Sequence, residues 1–189
     1  MSLKIGYYTE KGDLKGEFLM KAHMTNGTVD FLFKLAEKHA QLTIYLMIGD
    51  SSTLAYYEDH KKSIFAAGRS YDILLSSGDI QEEGYIAMNN IPVADEAKPI
   101  FETSFDKIQK NLDTVKGFQA FRLLKPLDGN TYIFLTQWAS GKDYEAWKNS
   151  DAFSNAQEAF PAKQPAYFME QPFLNTYAMY DPDDEDDNI

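Results

Sequence analysis

Between Gly84 and Tyr180 the chain alternates short β-type runs with helical segments in one fixed order, which limits its folds more than any other feature. Residues 85–93 read as a strand that stops at Pro92, where the missing donor is tolerated. Asp95 is placed to cap a helix along which Ile100, Phe101, Phe105, Ile108 and Leu112 form one apolar stripe, and Lys116-Gly117 ends it. Residues 118–124 and 132–138 are two strands joined by a hairpin signal at Asp128-Gly129. Ser140-Gly141 breaks the second of them. Residues 142–148 and 150–159 are helical, with Asp151 in the first turn of the later segment, where a carboxylate suits the helix dipole. Pro161 and Pro165 close the helical region, and residues 172–180 form a last strand.

Strand, helix, strand, strand, helix, strand is the βαββαβ pattern of a ferredoxin-like domain of the α+β class. The first half is also α+β but less regular. Residues 3–8, 17–24, 42–48, 53–58 and 71–76 are β-type runs, and Thr25-Asn26-Gly27-Thr28 is a turn signal. Residues 29–39 have helical spacing, with Phe31, Leu32 and Leu35 on one face. No internal repeat is evident. The polar, glycine-containing stretches at residues 76–79 and 82–84 set the boundary. Three parts are therefore expected: an N-terminal half over 1–80, a ferredoxin-like domain over 84–180 and a solvated acidic tail over 181–189.

Composition removes several classes of function. Six of the eleven units of net negative charge lie after Tyr180, and no basic stripe exists to neutralise phosphates, so a nucleic-acid partner is not expected. With no cysteine, disulfides, thiolate metal sites and thiol nucleophiles are excluded, which fits a reducing cytoplasm. No apolar run approaches the ~20 residues of a bilayer span, and no signal peptide is recognisable at residues 1–10, so a cytoplasmic protein off the membrane is expected. No Gly-rich phosphate loop or nucleophile elbow appears, and Glu58-Asp59 and Glu82-Glu83 do not read as a catalytic pair.

Three segments carry a family pattern. They are residues 86–93 (IAMNNIPV), Gly117-Phe118, and residues 144–153 (YEAWKNSDAF), with Thr136-Gln137-Trp138 between them. This set resembles the antibiotic-biosynthesis-monooxygenase (ABM) superfamily. Within it, the chain as a whole is similar to the two-part heme-degrading monooxygenases of HmoB type and to the TRAP proteins, most clearly over residues 85–180.

The resemblance implies an ABM domain that forms a dimeric α/β barrel, and hence a homodimer. In heme-degrading members an Asn on the first strand approaches bound oxygen, a Trp after the third strand distorts the heme, and a His ten residues later ligates iron. Carried over, these positions fall on Asn89, Trp147 and Gln157. The third departs from the pattern: a Gln side chain is a neutral amide and a poor iron ligand. The three histidines, His23, His39 and His60, all lie in the first half. Tyr144, one turn before Trp147, is a substitute iron ligand to weigh.

Each of these residues also has a plain structural explanation. Asn89 could bond a loop, Trp147 could be core, Gln157 could be surface, and Trp138 reads as packing. Asn90 alternates to the other face and is expected toward solvent. Three functions follow: a heme-degrading monooxygenase with heme as substrate or cofactor, a metal-independent ABM monooxygenase acting on another flat aromatic ligand without cofactor, or a non-enzymatic TRAP-like dimer in stress signalling.

Overall fold

The computed structural model describes residues 19–103, 109–151, 153 and 171–182. The strand expected at 3–8, the start of that at 17–24, Phe105, Ile108, most of the helix at 150–159 with Gln157, Pro161, Pro165 and most of the acidic tail lie outside those residues. The described elements run β1 (Lys21–Gly27), α1 (Val29–Lys38), β2 (Tyr45–Ile48), β3 (Thr53–Asp59), β4 (Arg69–Ser77) and β5 (Tyr85–Pro92). A 3-10 turn (Asp95–Ala97), α2 (Lys98–Thr103) and a second 3-10 turn (Gln109–Thr114) come next. They lead to β6 (Phe118–Pro126), β7 (Thr131–Trp138), α3 (Gly141–Lys148) and β8 (Phe173–Met179).

The eight strands close into one barrel in the order β1-β3-β2-β8-β5-β7-β6-β4. Strands β5 to β8 stand in the ferredoxin-like order β8-β5-β7-β6, all antiparallel. The first half repeats that order as β4-β1-β3-β2, with the loop at residues 60–68 where the second half has α3. The repeat is therefore one of topology, which the sequence does not display. The halves meet along two seams, β2 with β8 and β4 with β6, so the barrel closes within a single chain.

Alternation of side chains along each strand then produces two kinds of apolar layer. Met24, Leu54, Tyr56, Ile86, Met88 and Leu135 fill the barrel interior. On the outer face of the second half, Ile91, Phe101, Leu112, Phe134, Trp138 and Trp147 pack together. A smaller cluster of Leu32, Leu46, Tyr57 and Phe65 covers the outer face of the first half.

The interior is plugged by polar groups at one end. Arg122 of β6, 5% exposed, donates from Nε to Glu58 Oε1 of β3 at 2.8 Å and from its terminal nitrogen to the carbonyls of Ser77 and Gly78. Tyr56 donates to the same Glu58 oxygen at 2.5 Å. Gln137, fully buried, accepts from the Gln81 amide and donates to the Gln81 and Glu83 carbonyls. Tyr45 donates to the Ile80 carbonyl. The segment between the halves is thus held by side chains from β2, β6 and β7. Gly78 makes its turn at φ +65, where a Cβ would sit 2.0 Å from the Gln119 carbonyl oxygen.

Five local expectations change. Ile100, expected in one apolar stripe with Phe101 and Leu112, is 66% exposed while the other two are buried. The turn expected at Thr25–Thr28 does not form. β1 runs through Gly27, its Asn26 is bonded to Ser52 and Arg69, and Thr28 caps α1 by accepting from the Phe31 amide. Phe31 does not join Leu32 in the core; it is 59% exposed, since α1 buries only a narrow stripe. Asp95 does not cap a helix and instead pairs with Lys98 at 2.7 Å. Asn90 is buried, not solvent-facing, because the first half closes the barrel over that face of β5.

Candidate functional site

The outer face of β5 presents Tyr85, Ala87, Asn89 and Ile91 in a row. Asn89 is half-buried at the middle of that row. It stands opposite Phe134 on β7 and Leu174 on β8, the latter 40% exposed. Next to it, Ala87 and Thr136 give a low floor, both sealed from solvent. On the far side, Ile91 faces Tyr132, whose hydroxyl donates to Glu102 of α2, itself paired with Lys125 at 2.8 Å.

Helix α3 closes one side. Ser140 caps it, accepting from the Asp143 amide and donating to Asp143 Oδ2 at 2.6 Å. Gly117, at φ +78, lets the chain turn from the 3-10 segment into β6 directly beneath Asp143, where a Cβ would approach the Asp143 side chain to 2.5 Å. The stop-and-start expected at Gly117-Phe118 is thereby explained. Tyr144 and Trp147 point from α3 to the sheet and are 3% and 4% exposed. The Trp147 ring lies 4.9 Å from that of Trp138 and meets Phe153 edge-on at 4.7 Å. Trp138 is core, as expected, and donates from its indole to Thr136 Oγ1.

Asn89 and Trp147 thus stand on the same side of the same sheet, while Gln157 lies outside the described residues. Neighbouring Asn90 points inward, donating to Asn175 Oδ1 at 2.8 Å and to the carbonyls of Met88 and Phe173. One feature had no sequence signal: a cavity of about 190 Å³ between the turn at residues 49–52 and residues 174–177 of β8. It is smaller than the ~300–1,000 Å³ of most small-molecule sites, and neither Asn89 nor Trp147 lines it.

Donors for iron are sparse here. Burial pushes the Tyr144 phenol up to about 12, with Glu145 and Tyr85 adding to the shift, and its ring is packed between Trp138 and Trp147 with only 3% of the residue exposed. His23 is committed elsewhere, with Nδ1 against Ser70 Oγ at 2.8 Å and Nε2 against the Lys61 carbonyl at 3.0 Å. Among the described residues no group of three or more His, Cys, Asp or Glu could hold a metal ion. Among them, too, no helix is long and apolar enough to cross a membrane.

The fold and the face it exposes define a ferredoxin-like α+β protein with a half-buried amide on an apolar outer wall. Residues 84–159 match the family model of the antibiotic biosynthesis monooxygenases, and over that span the chain carries an ABM domain. Among its relatives is the signal transduction protein TRAP of Staphylococcus epidermidis, 27% identical over 135 residues, which cover 71% of this chain and 81% of the relative. Another is a heme-degrading monooxygenase of Listeria monocytogenes, 27% identical over 132 residues, 70% of this chain and 79% of the relative. In structure the chain is similar to a major regulator of staphylococcal pathogenesis. The two share a TM-score of 0.76 and 21% identity over 84% of this chain and 98% of the other.

Proposed function

We propose that the chain is an ABM-type monooxygenase acting on a flat, extended aromatic molecule held against the outer face of β5, β7 and β8 beside α3. The observation that carries this reading is Asn89, a half-buried amide at the centre of an apolar row. An Asn is unfavourable there by strand propensity, and apolar pockets use such isolated polar groups to orient a ligand. Phe134 and Leu174 flank it as apolar walls.

Heme is the first substrate to test, because one relative is a heme-degrading monooxygenase. The wall is apolar, as a porphyrin ring requires, whereas the donor set does not suit its iron. No histidine occurs after residue 60, position 157 is Gln, and Tyr144 is buried against Trp147 and Trp138. A metal-free substrate with an activated methylene avoids the conflict. Its CH2 reacts with dioxygen to give C=O and water, the substrate supplying the electrons, while Asn89 orients the ring oxygen and the aromatic wall excludes water.

A second reading is a non-enzymatic, TRAP-like protein. The mutual packing of Tyr144, Trp147 and Trp138 favours it, since those rings occupy the α3 side of the face themselves.

The test is a hemin titration of the purified chain and of Gln157→His, run beside oxygen uptake with tricyclic anthrones. Saturable binding or uptake that falls in Asn89→Leu supports the monooxygenase. Neither response in any variant overturns it in favour of the TRAP-like reading.

A further inference from the structure

Four oxidisable rings on the same side of the sheet as Asn89 form one continuous path to the surface. Trp147 lies 4.9 Å from Trp138 and 6.2 Å from Tyr144. Trp138 lies 6.1 Å from Tyr144, and Tyr144 lies 5.7 Å from Tyr85. These are the chain's two tryptophans and two of its twelve tyrosines. Trp147, Trp138 and Tyr144 are almost sealed from solvent, whereas Tyr85 at the start of β5 is half-buried. Indole and phenol are among the most easily oxidised side chains, and rings in van der Waals contact exchange electrons readily.

We propose that this set carries oxidising equivalents away from the candidate site to Tyr85, protecting the fold when dioxygen is reduced without oxygenating the substrate. This purpose rests on the monooxygenase reading; the conduction itself does not. In each one-electron step a peroxide-derived oxidant takes an electron from Trp147. Trp138 and Tyr144 pass the vacancy on. Tyr85 then gives up one electron through Tyr144 and releases its phenolic proton to water, leaving a neutral tyrosyl radical. A soluble thiol or ascorbate-type reductant returns the electron, and water the proton. Tyr85 is the exit because it has solvent beside it to take the proton. The Trp138 indole N–H faces only the weakly basic Thr136 hydroxyl, so the vacancy does not settle there.

Laser photoionisation of tryptophan tests this without any substrate, because both indoles lie in the cluster. In the native chain the transient tryptophanyl absorption should convert into the tyrosyl band. Tyr85→Phe and Tyr144→Phe keep the rings, and near-ultraviolet circular dichroism checks that packing is retained. Loss of most of the tyrosyl signal and a longer-lived tryptophanyl signal in both variants supports the path. Unchanged conversion in both overturns it, whether or not the chain binds heme or an anthrone; a change in Tyr144→Phe alone overturns Tyr85 as the exit.

Discussion

Arg122 of β6 and Glu58 of β3, 64 residues apart in sequence, form an ion pair 2.8 Å long inside the barrel, joining its two halves. Breaking a buried pair by removing one partner leaves an unpaired charge and costs up to about 3–5 kcal/mol, and here the low end of that range applies because the Glu58 side chain is 22% exposed to solvent. We predict that Arg122→Met or Glu58→Gln lowers stability by that order in denaturant titrations. The double variant should recover part of the loss; if it is no better than the worse single variant, the ion pair is not the source.

Asn89 should matter to ligands and little to stability. Its replacement by Leu is expected to remove one hydrogen bond worth about 1 kcal/mol, a roughly fivefold weaker affinity for an aromatic ligand. Thermal melts should hardly move. A large fall in melting temperature with unchanged ligand binding would make Asn89 a structural residue.

His23 predicts an acid-sensitive first half. Burial is the main cause that holds it below its ordinary 6.5, with Lys21 acting in the same sense. Its bond to the Lys61 carbonyl and the charge of Asp59 oppose them. The unfolded chain therefore takes up the proton more readily than the folded one. Stability is fully present above pH 6.5 and falls as pH drops from there toward the lowered folded value. A melting-temperature profile should show that slope, and His23→Gln should flatten it.

Asp72 predicts the opposite sign. Burial raises its carboxyl above the usual 3.8, against the pull of Lys21 and Lys125, and its Oδ1 is buried without a hydrogen-bond partner. Its charged form opposes folding, and stability gains as pH falls through its raised value. Asp72→Asn should therefore melt higher than the native chain at pH 7, with the gap closing in acid. An equal gap at both pH values would rule out the charge as the cause.

Much of the second half could be read from its residues. Local signals alone place the Asp128-Gly129 hairpin, the Gly117 turn and the strands on either side, because turn chemistry and period-two alternation act over a few positions. Asn89 and Trp147 stood out as an amide in an apolar strand and a ring in a recurring motif. What could not be read depends on partners distant in sequence. The inward burial of Asn90 follows from strands contributed by the first half, and nothing near it announces them. Glu58 looked like an ordinary charge beside Asp59 until β6 brought Arg122 against it. Phe31 matched the helical spacing of Leu32, yet the stripe that α1 buries is narrower than that spacing allows.

Closing the barrel within one chain has a consequence for how the protein responds to dilution. Where two copies must meet to complete a barrel, the folded fraction falls as concentration falls. Here the seams between β2 and β8 and between β4 and β6 join parts of the same molecule, tethered at a fixed effective concentration. The wall behind Asn89 therefore stays assembled at whatever copy number the cell maintains.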